Sequence, residues 1–305
     1  MKNSLTENYI IITDKLKNDK FIEKKIKLKC RNLNINENID DDIIDNFCNV
    51  LKKNKTFIGI LDISYNNLNE INLFKVICSV YENKNITGLN IKYNKVTKMI
   101  FNKLLLIIEN NNLEYLNIQN IELTNQEIKN IIFYTLNKNI KYLKLPYLNQ
   151  EAFQYLIESL KKNDSLTKLH FFVGINNQNN SNNIHNENII NNYQNTIDNL
   201  KNLFKEFLDV IVNKINITNI ECKINFQDEE LEEMKSFIHS VCEKRKNLKT
   251  NKRFNEQELK INSLEIMKSL IPEITGKNKH IEKFEKEEHI IFEENVINVL
   301  QKLLP

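Results

Sequence analysis

Few residues of this 305-residue chain have the types and spacing of a catalytic or metal centre. His239 and Cys242 stand three residues apart on a predicted helix, and both residue types bind zinc. A metal site would need further ligands, and Cys242 falls at an apolar position, so we expect it in the core. The sequence contains no G-x-S-x-G, no H-E-x-x-H and no glycine-rich phosphate loop. It therefore predicts no enzyme, with no catalytic residues, no cofactor and no metal.

Two acidic runs could in principle bind a cation. They are Asp40–Asp42 and Asp228–Glu230, and each directly precedes a predicted helix. Carboxylates at that position accept hydrogen bonds from free backbone N–H groups and interact favourably with the helix dipole. We therefore expect both runs to cap helices.

The charge of the chain argues against nucleic acid as its partner. Formal net charge is only +3, and three of the 43 basic residues are arginine. Lysine is a poor substitute for arginine in bidentate recognition of bases and phosphates. A chain with nearly balanced charge also lacks the concentrated positive field that nucleic-acid binders use.

The cysteines and the apolar runs bear on the compartment. Five cysteines occur, without a Cys-x-x-Cys pair, at apolar positions where a thiol behaves as a small hydrophobe. This usage favours a reducing compartment. The apolar run Tyr9–Ile12 is too short for a signal peptide, and no later run has the length of a membrane span. We expect an intracellular protein, cytoplasmic or nuclear.

A short apolar sequence motif recurs along the chain at intervals of 26 to 28 residues. Its central leucine alternates with polar residues, which predicts a strand with one buried face. Each strand is followed by apolar residues at helical spacing, so every unit reads as strand, loop and helix. The central leucines are Leu61, Leu89, Leu116, Leu143 and Leu169. Further units fit at Ile26 and, after a longer gap, at Ile220, and we expect a last, degenerate unit to begin at Leu248.

The predicted helices end at similar signals rich in lysine and asparagine, such as Leu51-Lys-Lys-Asn and Leu160-Lys-Lys-Asn. Lysine in the last turn suits the helix dipole. Asparagine tolerates the left-handed conformation that often ends a helix. We therefore expect left-handed asparagine caps at these positions.

This pattern resembles the leucine-rich repeat family, and its ribonuclease-inhibitor-like class in particular. The resemblance implies an α/β fold: a leucine-rich repeat solenoid with a curved parallel sheet on the concave face, helices on the convex face and helical caps. The asparagine that follows the strand in this family is present as Asn66 and Asn94 and absent at Ile121 and Leu148.

The predicted domain organisation has three parts. Residues 23–254 form the solenoid, with an asparagine-rich disordered insertion at about 174–195 and a helix resuming at Thr196. Residues 1–22 form an N-terminal cap and residues 255–305 a C-terminal helical cap or tail. Caps are needed because an open stack exposes an apolar cross-section and a strand edge at each end.

Candidate partner-binding residues follow from the repeat, because strand residues that alternate with the buried leucines point out of the stack. Phe172 could anchor a partner or pack beneath the insertion, and the repeated tyrosines at strand ends could contact a partner, each other, or both. The candidate residues are Tyr65, Asn90, Lys92, Tyr93, Asn117, Gln119, Lys144, Tyr147, His170 and Phe172.

The function predicted from the sequence is a non-enzymatic scaffold that binds a partner protein on the concave face and strand-end rim. Two alternatives come from the family resemblance. One is a GTPase-activating regulator, for which Arg31, Asn66 and Asn94 are the candidate residues. The other is a structural subunit of a larger assembly, for example a cytoskeletal one.

Overall fold

The computed structural model describes residues 5–18, 24–28, 39–66, 68–174, 187–214, 216–224 and 228–250. Met1–Asn247 form one compact unit, and Leu248–Pro305 form a second unit, of which only the last turn of α8 is described. The predicted C-terminal cap, 255–305, lies outside the described residues. The helices and strands, in chain order, are α1 Leu5–Lys17, β1 Lys25–Lys27, α2 Asp41–Lys53, β2 Gly59–Asp62, α3 Glu70–Glu82, β3 Ile86–Asn90, α4 Lys98–Asn110, β4 Tyr115–Asn117, α5 Asn125–Leu136, β5 Tyr142–Leu148, α6 Gln150–Lys162, β6 Lys168–Val173, α7 Glu187–Asn213, β7 Asn219–Ile224 and α8 Glu229–Thr250.

Strands and helices alternate, and the seven described strands form one open, all-parallel sheet in chain order. The central leucines pair across the sheet from Leu61 to Leu169, with Ile26 before them and Ile220 after them. All five leucines are fully buried in a single apolar core shared with the helices. The predicted α/β solenoid is therefore confirmed.

The acidic runs cap helices, as predicted. Asp40 accepts a hydrogen bond from the Asp42 backbone N–H at 3.1 Å at the start of α2. Asp228 accepts one from the Leu231 N–H, also at 3.1 Å, before α8. At the start of α5, Thr124 and Glu127 form a reciprocal capping box.

The expectation of left-handed asparagine caps is wrong. Asn54, Asn83, Asn111 and Asn163 do follow helices, but each has negative φ and positive ψ, an extended conformation. Their side chains are buried and reach back to the preceding helix in the stack. Each Nδ2 donates at 2.6 to 2.9 Å to a carbonyl oxygen near the end of that helix, respectively that of Leu16, Leu51, Val80 and Leu136.

These bonds join neighbouring repeats, because a helix leaves its last carbonyls without partners inside the helix. Asn137 interrupts the series after α5, since its side chain is exposed and donates to the Phe133 carbonyl of its own helix. The asparagines at helix ends therefore act as ties between repeats.

The two ends of the described stack differ. At the N-terminal end, the ring of Tyr9 in α1 packs edge-on against Phe47 of α2, with centroids 5.1 Å apart. At the other end, α7 begins at Glu187, earlier than the predicted start at Thr196, and residues 175–186 of the predicted insertion lie outside the described residues. The buried guanidinium of Arg245 in α8 donates to carbonyl oxygens at the end of α7, Ile211 at 3.0 Å and Val212 at 2.8 Å. The predicted degenerate unit at Leu248 is not a strand, because α8 continues through Thr250.

Candidate functional site

One face of the sheet carries the strand side chains that alternate with the buried leucines, and we call it the outer sheet face. The strand-pairing register places each of these side chains beside its counterparts on the neighbouring strands. The outer sheet face consists of Lys25, Lys27, Ile60, Asp62, Gly88, Asn90, Tyr115, Asn117, Tyr142, Lys144, Tyr147, Lys168, His170, Phe172, Asn219, Glu221 and Lys223. The residues that follow β2 to β4 form its strand-end rim: Ser64, Tyr65, Lys92, Tyr93, Gln119 and Asn120.

Two of the predicted partner-binding residues are used inside the chain. Asn90 and Asn117 are buried, 7% and 5% exposed, and their side-chain oxygens accept the backbone N–H two residues later. Asp62 does the same for Ser64 in the preceding repeat. This is an Asx turn, and it bends the chain out of the strand. Asn90 and Asn117 therefore shape the rim, while Lys92 and Gln119 provide the N–H groups and leave their side chains half-buried.

The residue after each of these turns adopts a left-handed backbone. Tyr65, Tyr93 and Asn120 have φ values of 60, 59 and 55°. Such values are uncommon for residues other than glycine and asparagine. The tyrosine rings of neighbouring repeats are thereby stacked, with centroids 4.2 Å apart and an interplanar angle of 28°. Tyr93 stays 43% exposed at the open side of this stack.

The rim changes at β5, where the Asx turn cannot form. Lys144 has no acceptor to offer, and Pro146 has no backbone N–H to donate. Tyr147 therefore continues the strand and pairs in register with Phe172 on β6. Their rings meet edge-on, with centroids 5.3 Å apart, and both side chains are half-buried. Phe172 thus has an aromatic neighbour on its own face, and residues 175–186 of the insertion that could also cover it lie outside the described residues.

The sequence reasoning missed an aromatic row that lies earlier in the strands. Tyr115 and Tyr142 immediately precede the central leucines Leu116 and Leu143 and pair with each other in register. Their rings meet edge-on, with centroids 4.9 Å apart. The alternation of buried and outward-pointing residues could have revealed this row, because it includes the residue before each central leucine as well as the residue after it. Both side chains are half-buried on the outer sheet face.

His170 links this aromatic row to the polar part of the face. Its Nε2 lies 3.2 Å from the Tyr142 hydroxyl, and its Nδ1 lies 2.7 Å from a carboxylate oxygen of Glu221. Burial of the ring, with Lys144 and Lys168 close by, lowers the pKa of His170 to about 4, against the opposing effect of Glu221. The ring is therefore neutral at pH 7. Burial also raises the pKa of Tyr142 to about 12, so its hydroxyl keeps its proton.

Charged side chains of distant strands influence the pKa of Lys144 on the outer sheet face. Burial lowers the pKa of Lys144 in β5, and Lys25 in β1 lowers it further, whereas Glu221 in β7 raises it. In a flat sheet β1 and β5 would stand about 19 Å apart, because neighbouring strands are about 4.8 Å apart. The curved sheet expected of a solenoid would bring such side chains closer together.

Three of the residues considered for GTPase activation or metal binding, Asn66, Asn94 and Cys242, are buried. Asn66 and Asn94 are buried, with Asn66 donating to the Tyr9 hydroxyl at 3.2 Å and Asn94 to the Ile63 carbonyl at 2.9 Å. Arg31 lies outside the described residues. Cys242 is buried while His239 is exposed, so the two do not converge on one point.

Several other features can be stated for the described part of the chain. Its cysteines, Cys48, Cys78, Cys222 and Cys242, are free thiols. Burial raises the pKa of Cys48 and of Cys242 to about 11, as for thiols packed as small hydrophobes. No group of three or more His, Cys, Asp or Glu side chains in these residues is placed to hold a metal ion. None of the helices described here is long and apolar enough to cross a membrane.

The chain matches solved structures but no protein-family model and no curated protein. Among solved structures, 41 chains match. One of them is described as "Leiomodin-1 Actin-Binding Site 2 (ABS2)"; it is 12% identical, with a TM-score of 0.26, and the match covers 85% of this chain and 98% of that one. Function must therefore be inferred from the residues of the outer sheet face.

Proposed function

We propose that this chain is a non-enzymatic protein-interaction scaffold, a leucine-rich repeat solenoid of the ribonuclease-inhibitor-like class. In this proposal a partner protein binds the outer sheet face and its strand-end rim. The open α/β repeat fold supports the general role, since such stacks present a long, continuous surface for a partner. The free thiols of the described part of the chain suit a reducing compartment, cytoplasmic or nuclear.

The observation that carries the proposal is the arrangement of aromatic side chains on this face. Tyr93 is 43% exposed beside Tyr65, and Tyr147 and Phe172 form a second half-buried pair three strands away. Tyrosine is enriched where proteins bind one another, because its ring is large, stiff and amphipathic. Aromatic pairs held by a rigid sheet are ordered before binding, which reduces the entropy cost of association.

A crosslinking experiment tests this proposal. The photoreactive residue benzoylphenylalanine is placed at Tyr93 or Phe172 in the full chain, which is expressed in its own cell type and irradiated. The control position is Phe133, which is 50% exposed in α5 on the helix side. We expect a discrete crosslinked partner from the two sheet positions and none from the control. Crosslinks from Phe133 alone would contradict the proposed site.

A triple variant provides the matched loss of function. Changing Tyr93, Lys144 and Phe172 together to Ala removes the aromatic and cationic parts of the face. The control variant changes Phe133, Met99 and Lys53 to Ala on exposed helix positions. The partner identified by crosslinking is then co-purified with each variant. We expect the amount recovered with the Tyr93/Lys144/Phe172 variant to fall about tenfold or more. Unchanged recovery would overturn the site assignment.

GTPase activation remains a separate hypothesis that purified protein can test. Asn66 and Asn94 are held inside the stack by hydrogen bonds, so they are poorly placed to reach a nucleotide. A hydrolysis assay across small GTPases should show no stimulation by this chain. Stimulation that is lost in an Arg31→Ala variant would favour the regulator over the scaffold.

A further inference from the structure

Charge is balanced differently on the two sides of the stack. On the helix side, lysines form ion pairs with carboxylates of their own or neighbouring helices, as Lys75 does with Asp45 at 2.6 Å and Lys98 with Glu127 at 3.4 Å. Among the lysines of the outer sheet face and its rim, only Lys25 forms an ion pair with a described residue, Asp62, at 2.8 Å. The lysines there without an ion pair to any described residue are Lys27, Lys92, Lys144, Lys168 and Lys223.

Two of these lysines converge on one tyrosine. The Nζ of Lys144 lies 5.1 Å from the centroid of the Tyr142 ring, and that of Lys168 lies 5.4 Å from it. Cation–π attraction to the ring holds both ammonium groups at the centre of the face. No carboxylate in the described part of the chain lies close enough to either ammonium group for an ion pair. An anion between them would supply the missing counter-charge.

The residue types around this point favour the carboxylate of a protein side chain over a nucleic acid. Both cations are lysine, and the buried Arg245, the only arginine among the described residues, donates to backbone carbonyls in another part of the stack. Lysine binds a carboxylate or a phosphate as a point charge, without the bidentate geometry that arginine offers to the phosphates and bases of a nucleic acid. Glu221 and Asp62 on the same face would repel the continuous negative backbone of a nucleic acid. The ring of Tyr142 has lysine ammonium groups over it, which leaves little room for a stacked base.

We propose that the partner presents an acidic segment, and that an aspartate or glutamate side chain of this segment binds between Lys144 and Lys168 above Tyr142. This inference rests on the proposed function and adds the chemistry of the partner. Lys92 lies over the rings of Tyr93 and Tyr65, 4.8 and 5.8 Å from their centroids, and provides a second cation on the rim. A segment that crosses the face from β6 to β3 would meet both.

The test measures fluorescence anisotropy with the full chain and a labelled twelve-residue peptide of alternating Glu, Ser and Asp. The variant is Lys144→Gln with Lys168→Gln, and the charge-matched control is Lys53→Gln with Lys138→Gln, two exposed helix-side lysines. We expect the peptide to bind the wild type and the control alike, and the variant about tenfold more weakly. Raising the salt concentration should weaken wild-type binding. A Glu221→Gln variant removes a competing carboxylate, so it should bind the peptide more tightly.

Equal binding of the peptide by the wild type and the Lys144/Lys168 variant would overturn the inference, and so would tighter binding of single-stranded DNA or of a phosphoserine peptide of equal charge. Thermal unfolding of the variant checks that it folds; should it not, the Glu221→Gln result decides alone. The crosslinked partner separates this inference from the proposed function. If it still attaches at Tyr93 in the lysine variant with undiminished yield, the acidic segment is refuted and the scaffold stands. If no partner attaches at the sheet positions, the proposed function fails whatever the peptide does.

Discussion

The rings of Tyr65 and Tyr93 stack at a centroid distance of 4.2 Å, although both residues have a left-handed backbone, with φ of 60 and 59°. Each residue directly follows an Asx turn, which begins with Asp62 or Asn90 three positions earlier. The same turn occurs in two neighbouring repeats, so the two rings occupy equivalent positions and stack on each other. The unfavourable backbone is therefore offset by contacts that only the stack provides.

A double-mutant cycle measures this stacking. We expect the effects of Tyr65→Asn and Tyr93→Asn on the unfolding free energy in urea to be coupled by about 0.5 to 1.5 kcal/mol. Either substitution alone already removes the ring contact, so the double variant loses no further contact. Asparagine is chosen because it tolerates the left-handed backbone. Tyr65 and Tyr134 lie on opposite sides of the stack, so the changes in unfolding free energy caused by Tyr65→Asn and Tyr134→Asn should be additive. Coupling as large in that control pair would contradict the stacking explanation.

Asn120 fills the position of the two tyrosines in the next repeat, with φ of 55°. Replacing it by Val should lower the free energy of unfolding by about 1 to 2 kcal/mol, because a β-branched residue is strained in this conformation. Asn112→Val is the control, since Asn112 is also exposed and its φ is not positive. Equal effects of the two substitutions in chemical denaturation would show that the backbone at Asn120 is not strained.

Asn83 ties α3 to α2 through hydrogen bonds from its Nδ2 to the carbonyl oxygens of Leu51 at 2.6 Å and Asn54 at 3.0 Å. Asn83→Ala leaves these buried acceptors without their donor, so we expect a loss of about 2 kcal/mol of unfolding free energy. In the control Asn110→Ala, the hydrogen bond that is lost is an exposed one, from the Asn110 side chain to the Leu106 carbonyl of the same helix. That variant should stay within about 0.5 kcal/mol of the wild type. A small effect at both positions would refute the role of the ties.

Acid sensitivity should depend on His170, whose neighbours are Tyr142, Lys144, Lys168 and Glu221. Its pKa is about 4 in the folded chain and near 6.5 when exposed, so between these values the unfolded chain binds more protons. Its contribution to stability is therefore present above pH 6.5 and lost as the pH falls towards 4. Between pH 7 and 5 the wild type should lose about 2 kcal/mol more than His170→Gln in urea unfolding. Equal acid sensitivity of the two proteins would show that His170 titrates normally.

The sequence predicted the strands better than the rim. Leu61 and its four counterparts mark the register because a residue buried in every repeat leaves a periodic signal. Asn90 and Asn117 alternate with those leucines just as Lys144 does, so the pattern assigned all three to the partner surface. The structure separates them, since the side chains of Asn90 and Asn117 turn back onto their own backbone. The site assignment as a whole remains a prediction.

The asparagines at helix ends show a similar limit. Their positions repeat in the sequence, which indicated a structural role, but the left-handed cap was the wrong mechanism. A side chain such as that of Asn83 finds its partner in the preceding repeat, 32 residues away at Leu51. Local rules for helix ends describe bonds within a few residues, so they do not reveal a tie between helices.

The sequence by itself determined the stack, because apolar residues at strand and helix spacing, repeated at a nearly constant interval, can all be buried only by laying the units side by side. Tertiary structure alone decided which polar residues remain available to a partner. Tyr142 and Lys168 are 26 positions apart and come together only through the pairing of β5 with β6. Their grouping depends on the register between the two strands, which the local pattern of either strand does not encode.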